Sequence, residues 1–300
     1  MADVSVILPT RDGEAYLDDC LRMVFGQNGG RSIEVIAIDS GSTDRTLDIL
    51  AKYPVKLLRI RPDQFRHSAT RNLGAKNASG KYLVFVNQDA VPADREWLNG
   101  LISAIESDPE IAGAFSRQLP REDCPLFVKC ELESFYTDKS RVVTAAEYRR
   151  ASAARKRKLI VFSTVSAALR RDVWEKIPFD ERLYFAEDQG WSSAALARGY
   201  SIVYAAGSMV FHSHDYSMRQ WFRMKYDSFI AMNRILGQRL LNSLLIFPGM
   251  ILGIGSGTIY IVRQKLPLAR KISEWNMLLA AQIVAAAARI SVFFRPPKVV

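Results

Sequence analysis

The sequence predicts an α/β fold in which a mostly parallel sheet is flanked by helices. Short apolar runs rich in Val, Ile and Leu recur through the first two-thirds of the chain. Stretches with helical apolar spacing separate them, the alternation expected of parallel strands joined by helical crossovers. Two of the runs lead into carboxylates, Ile38-Asp39 and Val86-Asn87-Gln88-Asp89, and ligands of such sheets lie beyond the carboxyl ends of the strands.

The elements follow in order. Val4 to Leu8 reads as a buried strand that stops at Pro9. Asp12 is expected to cap a helix through about Phe25, with Tyr16, Leu17 and Leu21 on one face. Ile33 to Ile38 is a second strand. Asp44 begins a helix whose Leu47, Leu50 and Ala51 fall at i, i+3 and i+4. Val55 to Ile60 is a third strand, and a helix from Ser68 to Asn77 is closed by Gly80. Tyr82 to Val86 is apolar throughout, as befits a central strand buried on both faces. A helix over Trp97 to Ser107 and a short strand over Ile111 to Phe115 follow. Gln118 to Lys158 is less regular and reads as an insertion or an acceptor-side loop region. Regular structure resumes at Val161 to Leu169, then a helix from Arg171 to Ile177. Phe185-Ala186-Glu187-Asp188 opens a helix through Ala197, closed by Gly199. Ile202 to Tyr204 and Met209 to Phe211 read as two short strands, and the chain looks helical from Ser217 onward.

The chain has 300 residues and is 49% hydrophobic, ample for a core and for one large or two medium domains. We expect an α/β domain over 1–216 and a helical region over 217–300. The net charge is +10 and the pI about 9.6, which suits nucleic acid, an anionic membrane surface or anionic small substrates. The basic residues are dispersed except in Arg149-Arg150 and Arg155-Lys156-Arg157-Lys158, and no zinc finger or RNA-recognition motif is present, which argues against nucleic acid. Cys20, Cys124 and Cys130 lack CxxC spacing and read as reduced thiols of a cytosolic protein. No basic n-region or cleavage site precedes Val4, so the first domain is expected in the cytoplasm. Leu240 to Val262 carries no charge but is interrupted by Pro248 and several glycines, and Met277 to Phe294 is mostly apolar. Three readings stand: membrane insertion, an interfacial hairpin flanked by Arg239, Arg263, Lys265, Arg270 and Lys271, or a hairpin packed on the catalytic domain or a partner subunit.

Each candidate site residue has two readings. Asp39 can accept from a base N–H or close an Asx turn. Asp89, just after the most apolar strand, is costly to bury without a partner; a divalent cation held with a diphosphate supplies one, and a turn Asp is the alternative. Gln88 offers a neutral oxygen. Arg71 can fork onto phosphate oxygens or lie on the surface. Glu187-Asp188 sits in a first helical turn, where the dipole alone favours acids, or supplies a general base. His212 and His214 share one face of an extended segment, within reach of one ion, or serve a core or interface.

Taken together, these residues resemble a family-two glycosyltransferase of GT-A fold. The matching pieces are Leu8-Pro9-Thr10-Arg11-Asp12, Ile38-Asp39-Ser40-Gly41-Ser42-Thr43-Asp44, Arg71-Asn72, Asn87-Gln88-Asp89-Ala90-Val91-Pro92 and Glu187-Asp188, over roughly the first two-thirds of the chain. Phe65-Arg66-His67-Ser68-Ala69-Thr70-Arg71-Asn72, Ser116-Arg117-Gln118-Leu119-Pro120 and Phe211-His212-Ser213-His214-Asp215-Tyr216 look most like bacterial rhamnosyltransferases of surface polysaccharide synthesis. The resemblance implies an inverting transfer of a sugar, L-rhamnose from dTDP-L-rhamnose by preference, to a glycan or polyprenyl-linked acceptor. It implies nucleotide-sugar contacts from Thr10, Asp39, Ser40, Arg71 and Gln88, and a base in Asp188 with Glu187 beside it. It implies a Mg²⁺ or Mn²⁺ site at Asp89 with His212 and His214. Two positions depart from the pattern: Asn87 replaces the first acid of the DxD motif, which puts metal dependence in question, and Asp12 stands where many relatives carry Asn. A cytoplasmic-leaflet membrane contact and a homo-oligomer are also expectations. The competing classes are a non-catalytic nucleotide-sugar-binding membrane scaffold and a nucleotidyltransferase; the latter's Gly-rich phosphate loop is poorly matched by Pro9-Thr10-Arg11-Asp12-Gly13.

Overall fold

The structure, a computed structural model, describes residues 2–237 and 246–294. Strands β1 (Val4–Thr10), β2 (Ile33–Asp39), β3 (Val55–Arg59) and β4 (Tyr82–Val86) lie parallel in the order β3-β2-β1-β4. Helices α1 (Leu17–Phe25), α2 (Thr46–Leu50), α3 (His67–Lys76) and α4 (Trp97–Glu106) connect or follow them. The period-two alternation of the strands separates two cores. Val6, Leu8, Val35, Ala37, Val84 and Val86 meet the buried Leu17, Cys20, Leu21 and Val24 of α1 and the Trp97, Leu98, Leu101, Ile102 and Ile105 face of α4. Ile7 and Ile38 point the other way, against α3. Gly74 permits that approach, because a Cβ there would run into Ile7 and Ile38 side chains.

The sheet continues through β5 (Val91–Pro92), β6 (Ile111–Leu119), β7 (Arg141–Val143), β8 (Ser166–Arg170) and β9 (Ser201–Phe211), giving the order β3-β2-β1-β4-β8-β6-β9-β5 with β7 on β9. Strand β8 is antiparallel to both β4 and β6, so the parallel half expected from the sequence grades into a mixed half. A buried hydroxyl chain crosses this half. Trp97 Nε1 donates to Ser166 Oγ (2.8 Å), which meets Ser116 Oγ (2.7 Å), which meets Ser208 Oγ (2.8 Å). Those partners make a single strand of the region read as two from the sequence, because they let Ser208 be buried in mid-strand.

Helices α5 (Leu126–Phe135), α6 (Ala145–Arg150) and α7 (Ala153–Leu159) occupy the region read as irregular; α8 (Arg171–Lys176) and α9 (Glu187–Ala197) follow β8. Asp12 does not cap α1. It adopts φ 44°, and its carboxylate accepts from Thr43 N (2.8 Å) instead, so the helix starts later, at Leu17.

The chain forms two compact units, Met1–Gln118 with Thr137–His212 and Leu119–Tyr136 with Ser213–Val300. The second contains α5, α10 (Met218–Leu236), α11 (Ile246–Arg263) and α12 (Leu268–Phe294). Ser217 and Gln220 form a capping box that starts α10. Phe127, Val128, Trp221, Ile261, Leu278 and Ala281 form its core, with Trp221 Nε1 donating to Ala281 O (3.1 Å). The buried Glu274 accepts from Leu126 N (3.1 Å) and pairs with Arg270 (3.0 Å). Of the apolar stretch that begins at Leu240, positions up to 245 and Arg239 lie outside the described residues. Residues 268–292 form the one described helix long and apolar enough to cross a membrane, and part of it is buried within the protein.

Candidate active site

The carboxyl ends of the parallel strands build one end of the site. Strand register sets Thr10 beside Asp39, and Thr10 Oγ1 donates to Asp39 Oδ2 (3.3 Å). Asp39 is 2% exposed. Its Oδ1 accepts from Gly41 N (3.0 Å) and Ser42 N (3.1 Å), and its Oδ2 from the Ser42 hydroxyl. The carboxylate therefore closes an Asx turn and orders the loop after β2, while Ser40 Oγ donates to Thr10 O (3.1 Å). Gln88 spans to the neighbouring loop. Its Oε1 accepts from Arg11 N (2.9 Å) and its Nε2 donates to Arg11 O (2.7 Å), so both ends of the amide hold the backbone after β1.

Arg71 lies at the centre. It is 3% exposed in α3, where only paired cations persist. One terminal nitrogen donates to Glu187 Oε1 (2.7 Å) and lies 3.2 Å from His67 Nδ1; the other donates to Asn87 Oδ1 (2.9 Å). Asn87, the neutral residue at the first position of the DxD pattern, is thus an oxygen acceptor for Arg71. Desolvation, then the Arg71 charge, lower the His67 pKa, so its ring meets Arg71 as a neutral acceptor. Next along α3, Asn72 donates to Phe179 O (2.9 Å) and accepts from Trp174 Nε1 (3.2 Å) and Phe179 N (3.1 Å). It anchors the segment that leads to Glu187.

Glu187 and Asp188 open α9 after Ala186, which adopts φ 56°. Left-handed backbone costs an alanine roughly 1–2 kcal/mol and is held where the surroundings over-determine it. Here the Glu187–Arg71 pair and the Asp188–Thr164 contact fix the backbone that follows it. Asp188 Oδ2 accepts from Thr164 N (3.1 Å) and its Oδ1 from Gln189 N (2.8 Å). Burial, then the adjoining Glu187 carboxylate, push Asp188 from 3.8 up to about 7, against the lowering effect of the Thr164 N–H and Arg71. A carboxylate poised near neutral pH is suited to take a proton in a transition state.

Strand β5 fixes the remaining corner. Its antiparallel pairing sets Val91 opposite Phe211, which carries the Asp89 turn toward His212. Asp89 Oδ2 lies 3.7 Å from His212 Nε2. His212 Nδ1 lies 2.9 Å from Gln118 Oε1, and Gln118 Nε2 donates to Ser163 Oγ (3.0 Å). In that arrangement Nδ1 carries the proton, and Nε2 turns a lone pair toward a carboxylate oxygen. Two acceptors facing one another fit a cation, so Asp89 and His212 suit a divalent ion on the chemistry of the donor set. His214 falls two residues later, in the second compact unit.

The sequence singled out Thr10, Asp39, Ser40, Arg71, Gln88, Asp89, Glu187, Asp188, His212 and His214. The structure links Asn87, Arg71, Glu187, Thr164 and Asp188 through successive contacts. Thr164 and Ser163 were missed. They lie in a short loop before β8 with no motif, and the one available signal was two hydroxyl residues leading into a strand.

The family profile described as "Glycosyl transferase family 2" matches residues 5–177. The chain is 34% identical over 229 residues to the O-antigen chain rhamnosyltransferase RfbN of Salmonella typhimurium, covering 75% of this chain and 71% of that one. It is 30% identical over 232 residues to the O-antigen chain rhamnosyltransferase WbaN of Salmonella anatum, covering 76% and 71%. Among solved structures, the mannosyltransferase PcManGT from Pyrobaculum calidifontis, in complex with GDP-Man and Mn²⁺, aligns with TM-score 0.64 at 14% identity, covering 99% of this chain and 88% of that one. The TarS protein of S. aureus in complex with UDP-GlcNAc aligns with TM-score 0.55 at 20% identity, covering 97% and 90%. At these identities the solved structures establish the GT-A-like fold.

Proposed function

The chain belongs to glycosyl transferase family 2, and we propose that it is an inverting rhamnosyltransferase that moves L-rhamnose from dTDP-L-rhamnose to a glycan or polyprenyl-linked acceptor. It is a nucleotide-sugar-dependent glycosyltransferase related to bacterial O-antigen enzymes; the donor, the acceptor and the stereochemistry are our reading. One observation carries it: Asp188, raised to about 7, is linked through Glu187 and Arg71 to the Asn87-Gln88-Asp89 turn.

In this mechanism the acceptor hydroxyl gives its proton to Asp188. Its oxygen bonds to the anomeric carbon as the bond to the diphosphate oxygen breaks on the opposite face. Arg71 acts as fixed positive charge in the floor of the site, since its terminal nitrogens are held by Glu187, Asn87 and His67, and it favours the negative leaving group through space. Thr10, Asp39, Ser40 and Gln88 order the two loops that receive the nucleotide. Asp89 and His212 would hold a divalent cation; when bound, such an ion neutralises charge on a leaving diphosphate.

The acceptor side fits an anion. Between residues 139 and 160 stand eight cations, Lys139, Arg141, Arg149, Arg150, Arg155, Lys156, Arg157 and Lys158, against one acid, Glu147. This segment is tied to the base helix, with Tyr148 OH 2.9 Å from Ser193 Oγ and the Ser192 hydroxyl donating to Ile160 O. In the second unit, exposed Ile251, Leu252 and Ile259 of α11 and Ile272, Ile283 and Phe294 of α12, beside Arg263, Lys265 and Arg270, suit contact with the anionic cytoplasmic leaflet. Sedimentation of the full chain with anionic but not zwitterionic vesicles is expected; equal recovery in both supernatants would remove the membrane contact.

The test is a donor screen with the full chain: dTDP-rhamnose, UDP-glucose, UDP-galactose and GDP-mannose, each with and without Mg²⁺ or Mn²⁺. Release or transfer of sugar from dTDP-rhamnose above the others is expected. Preference for another donor would overturn the rhamnose assignment, and nucleotide binding without turnover of any donor would favour a scaffold.

A further inference from the structure

We infer that Gln118 is a positioning residue for the cation site: it holds His212 as an Nε2 ligand and is itself anchored by Ser163. The inference rests on the reading of Asp89 and His212 as cation ligands. Gln118 is 6% exposed and His212 is 6% exposed, so neither finds a substitute partner in bulk water. An imidazole offers one lone pair, and the hydrogen bond at the other nitrogen decides where it lies. Gln118 Oε1, at 2.9 Å from Nδ1, can only accept, so the proton stays on Nδ1 and Nε2 is left for a cation beside Asp89 Oδ2. At the other end of the amide, Gln118 Nε2 donates to Ser163 Oγ at 3.0 Å, which holds the side chain in place with Oε1 toward His212. Such outer partners orient metal-bound histidines, and their loss weakens metal binding by about 10–100-fold.

The anchor has a second consequence. Ser163 adjoins Thr164, whose N–H donates to Asp188 Oδ2 at 3.1 Å. One dipeptide therefore sets the cation ligand through Gln118 and the base through its backbone. The next residue continues the pattern, as Val165 O accepts from Asn87 N at 3.0 Å, tying the same loop to the turn that carries Asp89. Gln118 thus acts through His212 and touches no reacting atom.

The experiment is Mn²⁺ titration of the full-length protein, reading free Mn²⁺ by electron paramagnetic resonance, for the wild type, Gln118→Leu, Gln118→Glu and Ser163→Ala. Metal-free dTDP binding by calorimetry serves as the fold control. Gln118→Leu is expected to weaken Mn²⁺ about 10–100-fold while dTDP binding stays within about twofold of wild type. Gln118→Glu keeps an acceptor at Nδ1 and is expected to bind Mn²⁺ at least as well as wild type. Ser163→Ala is expected to fall between them. Mn²⁺ binding by Gln118→Leu equal to wild type would overturn the inference. So would Gln118→Glu binding as poorly as Leu, since an acceptor at Nδ1 would then have no effect on the cation site. If the Leu variant loses dTDP binding, the Glu and Ala variants decide the matter alone. None of these readouts needs sugar transfer, and the Mn²⁺ titrations of the Glu and Ala variants do not depend on the donor assignment, whereas absence of Mn²⁺ binding by the wild type would remove the cation site itself.

Discussion

Replacing Asp188 with asparagine should abolish turnover and, above neutral pH, stabilise the protein. The two effects share a cause. The wild-type carboxyl is raised from 3.8 to about 7 by burial and then by Glu187. A group raised in the folded state keeps its proton between those values while the unfolded chain releases it, so its contribution is most favourable below about pH 4 and is lost as pH climbs through 7. Holding the ionised form at pH 8 therefore costs roughly 4 kcal/mol. Asparagine is neutral throughout and escapes that cost. It offers one oxygen where the carboxylate served both Thr164 N and Gln189 N, and an unserved buried N–H costs about 1–3 kcal/mol. The net expectation at pH 8 is a variant more stable than wild type by about 1–3 kcal/mol, with the advantage gone near pH 4.5. Loss of the base should lower kcat by about 10²–10⁴-fold with donor binding retained. Thermal or urea unfolding at pH 4.5 and 8, beside steady-state transfer, measures all three quantities. A rate within tenfold of wild type, or a stability difference independent of pH, would refute the assignment. For the wild type, kcat/KM should rise with pH to a plateau with an apparent pKa near 7.

Other perturbations test the scaffold around that carboxylate. Arg71→Met leaves Glu187 buried without its cation and should destabilise by about 3–5 kcal/mol, read as the shift in urea midpoint at constant slope; a shift under 1 kcal/mol would mean the pair is dispensable. Gly74→Ala forces a methyl into Ile7 and Ile38 and should cost about 1–3 kcal/mol while lowering kcat, because α3 carries Arg71; unchanged activity would separate helix packing from the site. Arg149→Glu combined with Arg150→Glu, both exposed, should raise the acceptor KM several-fold with donor KM and kcat unchanged, and the effect should fade at high salt. An acceptor KM insensitive to both charge and salt would detach this segment from acceptor recognition.

Much of the sheet was legible because fully buried parallel strands are written as unbroken apolar runs; Tyr82 to Val86 matches β4 at both ends. What escaped depended on partners distant in sequence. Asp12 resembled a helix cap, yet its conformation answers to Thr43. Residues 119–136 looked like an insertion in the first domain, but Leu126 N finds its acceptor at Glu274, far along the chain. Asp89 and His212 were joined by the resemblance alone, because the pairing that brings them together runs through β5, only two residues long and too short for any periodicity to show. Gln118, Ser163 and Thr164 act by orienting other side chains, and such roles depend on three-dimensional placement.

The account stands most directly on where a cation and a nucleotide settle. Crystals of the full chain with dTDP and Mn²⁺, measured for anomalous scattering, should show the Mn²⁺ peak between Asp89 Oδ2 and His212 Nε2, with the diphosphate beside it and Asp188 facing the open side. A peak elsewhere, or a nucleotide bound away from the carboxyl ends of β1, β2 and β4, would contradict it.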